Sequence, residues 1–67
     1  MYIIIFQLPA KDPIIKLKVN RFLKKIGAKM VFKGVWRHQD EVQLIGLASW
    51  IRNLGGKAYV LEEKIIY

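Results

Sequence analysis

The run Tyr2-Ile3-Ile4-Ile5-Phe6-Gln7-Leu8 decides most of what this chain can become. Branched and aromatic side chains pack well on a pleated surface and lose rotamer freedom in a helix, so the run predicts a strand. It is apolar on both faces, with Tyr2, Ile4, Phe6 and Leu8 on one and Ile3 and Ile5 on the other. A strand of that kind belongs in the middle of a sheet, covered on both sides. Pro9 ends it, since proline has no N–H for the ladder. Gln7 is the one polar side chain in the run. It stands at the carboxyl end, where open α/β sheets place their chemistry.

The remaining elements must be built within 67 residues, which predicts one domain spanning 1–67. A chain this short buries only about 60% of its unfolded surface. It has no cysteine, hence no disulfide staple, thiolate nucleophile or cysteine metal site. Its hydrophobic content of 54% is high for such a size, which predicts apolar surface committed to a subunit interface. No signal-peptide pattern and no apolar run of about 18 residues occur, so the expectation is an intracellular, cytoplasmic protein without a membrane partner. The absence of cysteine, the many Ile and Lys, and the few Asn and Gln suit a thermophile.

After the first strand, Asp12-Pro13 reads as a helix N-cap followed by proline at the first helical position. A helix is expected to about Ile26, with Gly27 as its left-handed terminator. On a helical wheel Val19, Phe22 and Ile26 fall within about 40 degrees of Ile15, with Leu23 beside them, giving a core stripe. Lys18, Arg21, Lys24 and Lys25 gather on the opposite side, with Lys16 and Asn20 at the margin. Lys24 and Lys25 also suit the negative end of the helix dipole. Stability explains part of the clustering in this way, and explains less easily four cations in two turns with no acid to pair at i,i+4.

Residues 28–38 are strand-like. Lys33-Gly34 is either a two-residue hairpin turn between strands 28–32 and 35–38, or Gly34 is a bulge in one long strand. Lys29, Lys33 and Arg37 are spaced by four, so a straight strand would carry them on one face. Asp40 is a second N-cap with Glu41 in the first turn. The helix that follows runs to about Leu54 and stops at Gly55-Gly56. Its core stripe is Leu44, Leu47, Ala48 and Ile51. Trp50 lies off that stripe, either against a neighbouring loop or terminus or in a dimer contact. Residues 57–61 form a strand, and Lys64-Ile65-Ile66-Tyr67 reads as strand again, adding to a sheet edge in its own or a partner subunit. The order β-α-β(β)-α-β(β) predicts an α+β fold. Two helices would pack on one face of an antiparallel sheet, in the ferredoxin-like βαβ(β)αβ plan.

Charge is the strongest functional signal. The net charge is +7, yet residues 1–37 hold nine Lys or Arg against one acid, Asp12. Residues 38–67 hold three bases and four acids. That asymmetry points to a polyanionic partner, nucleic acid before membrane, or else to a solubilising surface. No phosphate-binding glycine loop, catalytic serine or cysteine set, or clustered carboxylates are present, so no catalytic residue, metal site or cofactor is assigned. His38, beside Arg37 and near Asp40, reads as solvated, with general-base chemistry as the alternative. Tyr2, Tyr59 and Tyr67 are core residues or base-stacking platforms.

Three stretches together resemble the CRISPR-associated protein two family. These are Met1 to Pro9, the basic helix ending Phe22-Leu23-Lys24-Lys25-Ile26-Gly27, and Val31 with Gly34-Val35-Trp36. Members open with a similar Met-Tyr-hydrophobic strand, then a helix ending Leu-Lys-Lys-Tyr-Gly or similar, and carry Val…Ser-Val-Phe in the second strand. The likeness covers roughly residues 1–45 and is looser beyond. The family supplies the small dimeric subunit of the spacer-integration complex, so the resemblance implies a ferredoxin-like homodimer that touches duplex nucleic acid within a larger complex. It implies subunit contacts through the C-terminal strand. Members usually carry a metal-binding aspartate near the end of the first strand, whereas this chain has Gln7. A neutral amide does not replace a carboxylate as a Mg²⁺ ligand, so the expected protein is non-catalytic. The chain is also shorter than usual, and Arg37-His38 stand where Glu-Gly is common.

The expected phosphate contacts are Lys18, Arg21, Lys24 and Lys25, helped by Lys29, Lys33 and Arg37. The expected dimer contacts are Trp50, Ile65, Ile66 and Tyr67. The alternatives are a metal-dependent nuclease using Asp12 or Asp40, and a small protein-interaction or regulatory module.

Overall fold

A computed structural model describes residues 1–9 and 13–66. The chain forms β1 (Tyr2–Gln7), α1 (Pro13–Lys25), β2 (Lys29–Phe32), β3 (Val35–His38), α2 (Glu41–Asn53) and β4 (Lys57–Glu62). The sheet order is β2-β3-β1-β4, and each neighbouring pair is antiparallel. β1 is therefore central, as its apolar composition requires. Each helix crosses from one strand over a neighbour to the next, and both lie on one face. This is the ferredoxin-like α+β sandwich.

Register assigns every side chain to a face. Ile4 lies opposite Trp36 and Val60, and Phe6 lies opposite Ala58, all towards the helices. Those residues meet Val19 and Leu23 of α1 and Leu44, Leu47, Ala48 and Ile51 of α2 in the core. Ile4, Leu23, Leu44 and Ile51 are completely buried, each contributing about 1.5–3 kcal/mol by leaving water.

The termini of the helices follow local chemistry. Asp40 caps α2, its carboxylate accepting the Val42 N–H at 3.0 Å. Gly27, at φ +82°, takes the left-handed turn that ends α1 and lets the Ala28 N–H reach the Leu23 carbonyl at 2.9 Å. Asp12, read as the α1 cap, lies outside the described residues.

Residues 28–38 take the hairpin reading, and Gly34 belongs to its turn and is not a bulge in one long strand. They form a hairpin turning at Lys33-Gly34, and a bulge also falls between Met30 and Phe32. Gly34 has φ +79° and packs against β1, accepting the Phe6 N–H at 2.9 Å.

Two expectations are corrected. β1 is not covered on both faces, because both helices lie on the same side and leave Ile5 39% exposed. Residues 64–66 are not a strand. Among the described residues β1 is the only strand beside β4, and the last rung is the Glu63 N–H to the Met1 carbonyl at 2.9 Å. Beyond that rung Ile65 and Ile66 are 74% and 88% exposed.

Candidate nucleic-acid interface

The apolar stripe of α1 turns towards the sheet, so its other side is forced outward. Lys18, Arg21, Lys24 and Lys25 are all exposed there. Among the described residues none of the four is in an ion pair. Exposed Leu17 sits in the same sector, so the face is cationic with aliphatic surface between the charges.

The other three predicted cations do not join that face. Lys29 and Arg37 are cross-strand partners, and Arg37 pairs with Ile3, which places both on the side of the sheet away from the helices. Lys33 occupies the hairpin turn. There it lines a recess of about 1080 Å³ with Lys16, Asn20 and Gln7. The hairpin and its bulge explain the split: the turn at Lys33-Gly34 folds β2 back along β3, and the shift between Met30 and Phe32 sets Lys29 across from Arg37. Arg37 also holds Glu63 at 2.7 Å, and its Nε–H has no acceptor among the described residues.

His38 is half-buried and bonded through both ring nitrogens, not merely solvated. Nε2 lies 2.7 Å from the Ile26 carbonyl, and Nδ1 accepts the Asp40 N–H at 3.0 Å. A ring protonated on Nε2 serves both bonds. The imidazole thus ties the end of α1 to the entry of α2, a structural role that its position in the sequence does not reveal.

Gln7 is exposed at the end of β1 opposite Lys57. The acids are dispersed: Asp40 caps a helix and Glu63 pairs with Arg37. Among the described residues no three His, Cys, Asp or Glu side chains converge to hold a metal ion.

Trp50 lines a cleft of about 480 Å³ between the helices, with Val19, Phe22, Val42, Leu47 and Lys18. It stands near the carboxyl end of α2. Ile65 and Ile66 follow the far end of β4, so the structure does not bring these expected dimer contacts into one patch. Tyr67 lies outside the described residues. Tyr2 packs against the core, whereas Tyr59 is exposed.

Among the described residues no helix is long and apolar enough to cross a membrane. Compared with protein-family models, with curated proteins and with solved structures, the chain matches none.

Proposed function

We propose that this is a non-catalytic, dimeric nucleic-acid-binding protein that works in the cytoplasm, of the kind its resemblance to the CRISPR-associated protein two family implies. The observation that carries the reading is the outward face of α1, where Lys18, Arg21, Lys24 and Lys25 stand exposed without acidic partners in a chain of net charge +7. Such cations contact backbone phosphates and position a duplex without reading its sequence. Lys29, Lys33 and Arg37 extend the positive field from other parts of the surface. Trp50, Ile65, Ile66 and Tyr67 join the two copies, and larger protein partners are expected.

The test is binding of labelled duplex DNA and duplex RNA across a salt series, on protein whose mass is known from sedimentation. Exchanging Lys18, Arg21, Lys24 and Lys25 for Gln together is expected to weaken binding strongly. It should also flatten the log–log salt slope by about 3–4 units, close to one unit for each phosphate no longer neutralised. Unchanged affinity and slope would remove the proposal.

A second reading, a protein-interaction module, is favoured by the exposed Ile65 and Ile66. It takes first place if the protein binds no nucleic acid but recovers a protein partner that is lost on deleting 64–67.

A further inference from the structure

The face of the sheet turned away from the helices carries an ordered pattern in three rows. Register sets Phe32, Val35, Ile5 and Tyr59 side by side across all four strands. The row on one side is Lys29, Arg37, Ile3 and Leu61, and the row on the other begins with Gln7 and Lys57. An apolar row with an aromatic ring at each end is therefore flanked on both sides by cations.

Three local features build this pattern. The two-residue turn at Lys33-Gly34 sets Phe32 opposite Val35, and its ring is 72% exposed. The bulge between Met30 and Phe32 then sets Lys29 opposite Arg37, where a regular hairpin would have Met30. Tyr59 is 57% exposed, and the Arg52 guanidinium lies 5.7 Å from its ring centre. Arg52 is itself fixed, its Nε–H donating to the Ala58 carbonyl at 2.8 Å. One ring is placed by the turn and the other braced by a cation. The two stand three strand spacings apart, about 14 Å.

We infer that this open face is a second binding surface, and that its ligand is single-stranded nucleic acid. Every base has a π-face, so exposed rings on a sheet stack bases without regard to sequence. Lys29 and Lys57 take the phosphates on either side of the aromatic row. Charge complementarity selects this occupant over a second copy of the chain. Among the described residues the only acid placed at this face, Glu63, is spent on Arg37, so two copies stacked here would confront cations with cations. The surface is separate from the α1 face, and stacking distinguishes it from pure phosphate contact.

The experiment is fluorescence anisotropy with labelled 12-residue oligouridine and oligothymidine, using the full chain and the variants Phe32→Ala, Tyr59→Ala and both together. Both side chains are exposed, and thermal melts confirm that the variants fold. Each substitution is expected to weaken single-strand binding about tenfold or more, as removal of one base stack does. The salt slope stays unchanged because no charge is removed. Tyr59→Phe is expected to bind as the parent does, and duplex binding by α1 is expected to persist in all variants. Oligonucleotide affinity unaffected by the double substitution overturns the inference. So does an absence of single-strand binding near 50 mM salt, or a double variant that instead lowers the sedimentation mass, which would mark the face as a contact between copies. The α1 variant loses duplex binding and these variants lose single-strand binding, so either reading can fail alone.

Discussion

The tip of the β2–β3 hairpin is a point at which the fold tolerates substitution poorly, and the structure allows the loss to be worked out. Gly34 has φ +79°, and a Cβ built on it would lie 2.7 Å from the Phe6 carbonyl oxygen. Gly34→Ala therefore suffers twice. A left-handed conformation costs an L-residue about 1–2 kcal/mol. The clash with a backbone oxygen cannot be relieved by a rotamer, so the hairpin must lift from β1. That lift sacrifices the 2.9 Å bond from the Phe6 N–H to the Gly34 carbonyl, about 1 kcal/mol. The expected total is about 3 kcal/mol, a large share of the roughly 3–10 kcal/mol that stabilises a chain of this length. Gly27 supplies the internal control: its φ is +82°, but nothing lies within 4 Å of an added Cβ. Gly27→Ala should therefore cost only about 1 kcal/mol. In melts followed by far-UV circular dichroism, with about 4–8 °C lost per kcal/mol, the variants should fall by about 12–24 °C and about 4–8 °C respectively. Equal losses at the two positions, by thermal and urea melts alike, would refute the argument that Phe6 constrains the hairpin.

Two further substitutions probe the link between the helices. His38→Ala removes the bonds to the Ile26 carbonyl and the Asp40 N–H together, and is expected to cost about 2 kcal/mol by urea unfolding; a loss below about 0.5 kcal/mol would mean the ring is only solvated. Asp40→Ala removes the α2 cap and should cost about 1 kcal/mol, whereas Asp40→Ser should recover most of it, and equal stability of the two variants would count against a capping role.

Much of the fold was legible because it is written in short periods. The alternation through Ile3, Ile4 and Ile5 marks a strand, and the spacing of Leu44, Leu47, Ala48 and Ile51 marks the buried stripe of α2. Asp40 and Gly27 act where their conformational preferences put them. What escaped is what depends on distant partners. A strand apolar on both sides does not encode which side receives the helices; the handedness of both crossovers decides that. Ile65 and Ile66 have strand preference, but a strand also needs a neighbour, and among the described residues no strand pairs with them. His38 finds Ile26 twelve residues back only once α1 and β3 are in place. Of the candidate site, the cations of α1 followed from helical periodicity. Lys29, Lys33 and Arg37 were read along one line, and the hairpin dispersed them. The row from Phe32 to Tyr59 needed the register of three strand pairs, which no single segment carries.

The position of the charges bears on why so apolar a chain leaves one sheet face open. Part of its exposed large hydrophobic surface lies in the central row of the open face, the inter-helix cleft beside Trp50, and the segment after β4. A face meant only for self-association gains from acids and bases that pair across a two-fold axis. Among the described residues this face has Lys29 and Lys57 without free acids, and its neighbouring helix presents four more cations on another side. Both surfaces therefore call for a partner that brings negative charge, and one of them also calls for flat apolar rings. A nucleic acid with unpaired bases supplies both within a single ligand.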